Sequence, residues 1–219
     1  MKFAMLYSCG KDSALALYRM ISEGHEPVCL ITTYNEEANR SWFHGIQTSL
    51  LNAVSKSLRI PLLTCRCTGD TYQAKVEEAL SQAKGQGAEA AVFGDIDIQD
   101  HLDWNQERCD AAGLTCVVPL WQQQREALVN ESIKAGFKAL IKCVDLSSLD
   151  KTFLGEILDE KTIARIAAKG ADVCGENGEY HTFVFDGPIF NDPVPIVVGE
   201  IFDFETHAVI DITLAGEQE

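Results

Sequence analysis

Ser8-Cys9-Gly10-Lys11-Asp12-Ser13 lies between an apolar run, Phe3 to Tyr7, and an amphipathic run, Ala14 to Ile21. The pattern predicts a strand that feeds a glycine-containing turn and then a helix. Such a turn aims backbone N–H groups and the positive end of the helix at one point, where an anion is stabilised. Ser8 and Ser13 add hydroxyls there, and Lys11 adds an ammonium. A Walker A loop is excluded, because Met5 stands where its first glycine belongs and Asp12 follows the lysine in place of Ser or Thr. The plain alternative is a turn without a ligand. Its position directly after the first strand favours phosphate binding.

Working outward, short apolar runs alternate with helical patterns. Strands are expected at Phe3 to Tyr7, Val28 to Thr33, Leu62 to Cys65, Ala91 to Phe93 and Leu114 to Val118, with helices between them. This predicts an α/β domain over residues 1–121, a five-stranded parallel sheet with flanking helices. From residue 122 to 219 a smaller α+β domain is expected. It holds a polar helix after Gln122, a strand from Phe137 to Val144 and a helix from Glu160 to Lys169, then strand-like runs at Thr182 to Phe185, Pro195 to Phe204 and Ala208 to Leu214. An open edge on that second sheet suggests a homo-oligomer without fixing the number of subunits.

Several stretches carry chemistry. Gly85-Gln86-Gly87-Ala88-Glu89-Ala90 fits a dinucleotide fingerprint formally, but it follows a helix and precedes a strand, the inverse of the required context, and reads as a helix stop. Gly94-Asp95-Ile96-Asp97 ends the fourth strand, at the carboxyl edge where open α/β sheets place ligands; Asp95 and Asp97 are either Mg²⁺ ligands or helix-entry carboxylates. His44 enters a helix and reads more simply as a cap than as a substrate contact. The most polar loop is Cys174-Gly175-Glu176-Asn177-Gly178-Glu179-Tyr180-His181-Thr182. Asn-Gly alone makes a tight turn. A turn does not require Glu176, Glu179 and His181 around it, so this loop is a second functional candidate.

Charge and composition narrow the classes. A net charge of −15 and a pI near 4.7 disfavour broad contact with nucleic acid, which needs clustered Lys and Arg. No apolar stretch reaches the roughly 18 residues of a membrane span, and the chain is expected to be cytoplasmic. The eight cysteines lack the spacing of a disulfide scaffold and read mostly as buried thiols. Cys65-x-Cys67 is a close pair without a Cys-x-x-Cys, which is weak support for a zinc or iron–sulfur site.

The hexapeptide resembles the Ser-Gly-Gly-Lys-Asp-Ser loop of the PP-loop ATP pyrophosphatases, with Cys9 in place of a glycine. The resemblance implies a HUP-type (adenine nucleotide alpha hydrolase-like) first domain that splits ATP between the α and β phosphates and moves AMP onto a carboxylate or carbonyl oxygen. Ser8, Cys9, Gly10, Lys11, Asp12 and Ser13 would then hold phosphate, Ile31 and Thr32 would lie beside adenine, and Gly94 would line the site. Asp12, which alternatively caps the helix, and Asp95 would hold Mg²⁺. Cys9 either narrows the loop or presents its thiol to the nucleotide.

Gly94-Asp95-Ile96, Pro119-Leu120-Trp121, Leu154-Gly155 and the 174–182 loop with Asp186-Gly187-Pro188 follow in order, and together they resemble the diphthine ammonia ligase family over nearly the whole chain. That resemblance implies an ATP-dependent ligase that adenylates a carboxylate, on a small molecule or a modified protein side chain, and joins it to ammonia or an amine. Lys11, Glu176, Glu179 and His181 would be catalytic. Two alternatives are a PP-loop sulfur or nitrogen transferase acting on tRNA and a nucleotide sensor without turnover. The acidic charge and the missing Cys-x-x-Cys, carried by the iron–sulfur type of tRNA thiolation enzyme, weigh against the first.

Overall fold

The structure is a computed structural model that describes residues 1–42 and 44–216. Phe43, next to the candidate His44, and the last three residues of the expected second domain lie outside the described residues. The chain divides into two compact units: Met1–Ser8 with Asp12–Gln123, and Cys9–Lys11 with Gln124–Glu219.

In the first unit the central strand is β1, Lys2–Leu6. Phe3, Ala4 and Met5 are fully buried, as an unbroken apolar run must be when helices cover both faces of a parallel sheet. On one side β1 pairs in parallel with β2, Glu26–Asn35, which itself pairs in parallel with β4, Leu62–Cys67. On the other side β1 pairs in parallel with β5, Ala90–Val92, and β5 with β6, Thr115–Val117. These five strands match the five expected from sequence. A sixth was not expected: β3, Arg40–Ser41, pairs antiparallel with Tyr34 and Asn35, beyond the point where β1 ends opposite Ile31.

The helices α1 (Lys11–Ser22), α2 (Thr48–Leu58), α3 (Tyr72–Gly85) and α4 (Gln99–Ala112) alternate with the parallel strands. Val76, Ala79, Leu80 and Ala83 of α3 and Cys109 and Ala112 of α4 meet Ala4, Ile31, Cys65, Ala91 and Phe93 from the sheet in one buried cluster. The alanines let helix and sheet approach closely, and the leucine and valine fill the space between them. Because successive strands lie to one side of β1 and then to the other, the carboxyl ends of β1 and β5 flank a topological switch point, where open α/β sheets bind ligands.

The second unit is a four-stranded antiparallel sheet in the order β8-β7-β10-β9, formed by β7 (Lys138–Asp145), β8 (Tyr180–Asp186), β9 (Ile196–Asp203) and β10 (His207–Leu214). It also holds α5 (Arg125–Ala135), a 3-10 turn at Lys151–Phe153, and α6 (Glu160–Ala168). Asp159 opens α6 by accepting a hydrogen bond from Thr162 N, which satisfies one of the helix's unpaired donors. Among the described residues no helix is long and apolar enough to cross a membrane.

Candidate functional site

In the first unit the phosphate-loop candidates converge at the switch point. The Ser8 hydroxyl donates to Ser13 Oγ at 3.2 Å, so the two serines brace the loop from either end. Gly94, at the end of β5, comes against the same loop: a Cβ at that position would sit 2.9 Å from Ser13 N and 3.0 Å from the Asp12 carbonyl carbon. Only a residue without a side chain fits under this backbone. This close approach accounts for a glycine at position 94, one of the residues expected to line the site.

The other predicted residues of this unit are engaged within the sheet and its helices. Ile31 O accepts from Tyr7 N at 2.8 Å, and the Thr32 hydroxyl donates to Tyr7 O at 2.6 Å. Both residues therefore fix the exit of β1 through these groups. Asp95 accepts from Asn105 Nδ2 at 2.8 Å and pairs with His101 Nδ1 at 3.1 Å, so its oxygens are tied to side chains of α4.

In the second unit, Cys9–Lys11 runs along the edge of β8 that β7 leaves free. Val184 N donates to Cys9 O at 2.8 Å, and Lys11 N donates to Thr182 Oγ1 at 3.0 Å. Cys9 takes a left-handed backbone conformation, φ 66°, with its side chain 1% exposed. That conformation explains why the loop it resembles has glycine here, since a Cβ in this region costs about 1–2 kcal/mol. Burial pushes the Cys9 thiol far above the ordinary range. It therefore stays protonated and acts as packing.

Lys11 Nζ lies 3.9 Å from Glu176 Oε1, with side chains only 6% and 16% exposed, and 5.6 Å from the centre of the Tyr180 ring. An ammonium so shielded from water needs an anionic partner, and the acidic loop supplies one. Glu179 is used differently. Its carboxylate accepts from Asp172 N at 3.1 Å, Asn177 N at 3.0 Å and Asn177 Nδ2 at 2.9 Å, which folds the loop upon itself. His181 is half-buried on β8, paired in register with Cys143.

Four residues that sequence reasoning did not assign complete the arrangement. Thr182 holds the Lys11 backbone. Asp172 accepts from Cys174 N and Glu176 N and takes the Arg125 guanidinium at 2.6 Å, while Arg125 also reaches Asn177 Oδ1 at 3.1 Å. Tyr180 donates its hydroxyl to Val173 O at 2.7 Å, and its ring leaves no room for a Cβ at Gly175, which has φ 74°. The acidic loop is thus a rigid frame of carboxylate–backbone hydrogen bonds that presents Glu176 to Lys11.

All eight cysteines are free and six are buried. Burial raises Cys29 to about 11 and Cys65 to about 12, so these thiols are uncharged packing groups.

Residues 1–116 match the family described as diphthamide synthase N-terminal domain, and residues 124–217 match diphthamide synthase C-terminal domain. The chain belongs to the diphthamide synthase family. Among relatives of the family, a protein of Rattus norvegicus named diphthine–ammonia ligase is 27% identical over 226 residues, covering 91% of this chain and 84% of its own. One of the same name from Homo sapiens is 26% identical over 227 residues, covering 92% and 85%. A more distant one, from Schizosaccharomyces pombe, is 24% identical and is itself much longer, with 38% of its length covered. The chain is an enzyme of a family whose named members are ligases. A solved structure from Methanocaldococcus jannaschii, titled as a predicted subunit of tRNA methyltransferase, shares 14% identity at a TM-score of 0.47, a likeness too slight to carry an argument.

Proposed function

We propose that this enzyme uses ATP to activate a carboxylate as its acyl-adenylate and then forms an amide with ammonia or an amine. The acceptor is a carboxylate of the diphthine kind named for its relatives. The observation that carries the reading is the shielded Lys11–Glu176 pair: a loop cation suited to phosphate, held beside a carboxylate suited to accept a proton. On this reading residues 1–121 serve as the nucleotide-binding part and 122–219 as the substrate part, with Cys9–Lys11 of the loop packed in the second unit.

The chemistry explains why the cation and the carboxylate are both needed. A carboxylate resists ammonia because it is negatively charged and has no good leaving group. In the first step a carboxylate oxygen attacks the α-phosphorus and pyrophosphate departs. Lys11 offsets the growing charge, while Ser8 and Ser13 donate hydroxyl hydrogen bonds to phosphate oxygens. In the second step the nitrogen attacks the acyl carbon, AMP leaves, and the proton released from nitrogen passes to Glu176. His181 orients the carbonyl. Glu179 supports Glu176 by fixing the loop, so the two glutamates have different roles.

Mg²⁺ would accompany the nucleotide and help neutralise its phosphates. Asp12, on the loop itself, is the better carboxylate for it. Asp95 fits less well, because His101 and Asn105 already occupy its oxygens.

The test is product analysis. Incubated with Mg-ATP, ammonia and a panel of carboxylates, the enzyme should release AMP and pyrophosphate in equal amounts, dependent on the acceptor. Release of ADP and phosphate would refute the reading.

A further inference from the structure

The outer edge of the second unit's sheet is apolar along most of its length. Among the described residues β9 pairs with β10 alone. Along it Val197, Val198, Ile201 and Phe202 are 45–50% exposed, and Phe204 just beyond is 52% exposed. Natural edges are usually blunted by lysine, proline, inward charges or a bulge that twists the edge away. Between Val197 and Phe202 this strand has one charged residue, Glu200, and no lysine or proline.

The register of β9 supplies a second observation. Val198 lies opposite Ile212 and Ile201 opposite Ile210, so Gly199 and Glu200 together face the single residue Asp211. This is a β-bulge with one extra residue on β9. In a regular strand Val197 and Phe202, five residues apart, would point to opposite faces. The bulge restores them to the same face, shared with Thr213 and Val209, and likewise puts Val198 and Ile201 on the face of the buried Ile212 and Ile210. The strand is thereby palindromic about the bulge: apolar on each face, at equal distances either side of Gly199–Glu200.

We infer that β9 is the two-fold interface of a homodimer, in which the strands of two copies pair antiparallel about an axis normal to the sheet and passing between Gly199 and Glu200. In this register Val197 opposes Phe202 of the other copy and Val198 opposes Ile201. Glu200 faces Gly199, so the two acidic side chains are not directly opposed. Such a contact is isologous and closes on itself, joining two four-stranded sheets into one of eight strands. The five side chains expose roughly 450 Å² per copy, which is the most they can contribute to the about 800 Å² per partner of a standard interface; strand backbone and flanking residues supply the rest.

The experiment is sedimentation equilibrium of the full chain at roughly 1 to 100 μM, a range that brackets a micromolar interface. The wild-type chain should approach twice its 24.1 kDa mass. V197K and F202E, both at exposed positions, should each weaken dimerisation at least tenfold while keeping an unchanged circular dichroism spectrum. In the V197K/F202E double variant, the introduced ammonium of one copy opposes the introduced carboxylate of the other, and dimerisation should recover. A wild-type monomer throughout the range would overturn the inference, whether or not some other strand can be made to bind. So would a dimer indifferent to both single variants, or a double variant no better than the singles.

Discussion

Glu176→Gln tests the core of the site because it keeps the side chain's size and removes only its charge. Lys11 Nζ and Glu176 Oε1 are 3.9 Å apart in a shielded setting. Two unit charges at that distance attract by about 4 kcal/mol at an effective dielectric near 20. The cost of removing both from water cancels part of this, leaving about 2 kcal/mol as the working figure. Two effects of opposite sign follow. The nucleotide-free protein should lose about 2 kcal/mol of stability. ATP should bind more tightly by up to ~30-fold, because Lys11 no longer has to give up a carboxylate and no carboxylate repels the phosphates. Amide formation should nonetheless fall by ~100-fold or more, as expected when a positioned base is lost. Calorimetric titration with α,β-methylene ATP and thermal melting read the first two effects, and turnover reads the third. Weaker nucleotide binding with unchanged stability would show that Glu176 does not partner Lys11.

Cys9→Val should cost more stability than Cys9→Gly. Valine brings a branched side chain into a left-handed backbone, whereas glycine relieves about 1–2 kcal/mol of strain while losing a similar amount through thiol burial and chain entropy; melting temperatures decide between them. Gly94→Ala should push the phosphate loop aside, lowering stability by about 1–3 kcal/mol and raising the KM for ATP, as measured by melting and steady-state kinetics. Asp159→Ala should remove the cap of α6 at a cost of about 1 kcal/mol near neutral pH. The Thr162 backbone N–H holds Asp159 below the usual carboxylate range, so its contribution is present above the unfolded pKa of about 4 and disappears as pH falls through the lowered folded value. Denaturation curves of the variant and parent should therefore converge in acid.

The first unit was legible because its signals are local. Unbroken apolar runs such as Phe3 to Tyr7 report strands buried on both faces, and the hexapeptide directly after the first of them makes the carboxyl end of β1 the candidate site. β3 escaped because two residues, Arg40 and Ser41, carry no periodicity. In the second unit the strands could be read from their composition. Their order could not, since pairing β10 between β7 and β9 depends on contacts distant in sequence. Glu176 and Glu179 looked equivalent in sequence; the structure separates them by what their oxygens accept. Thr182 and Asp172 went unassigned because a single hydroxyl or carboxylate has no spacing signature. Cys9 did carry a signal: a residue standing where a phosphate loop has glycine is expected at positive φ.

If a carboxylate oxygen of the acceptor attacks the α-phosphorus of ATP, that oxygen must leave with AMP, and an acceptor labelled with ¹⁸O in its carboxylate makes the transfer visible by mass spectrometry of the nucleotide product. AMP should carry one labelled oxygen per turnover and the amide should retain the other. Unlabelled AMP, or label in inorganic phosphate, would rule out acyl-adenylate formation.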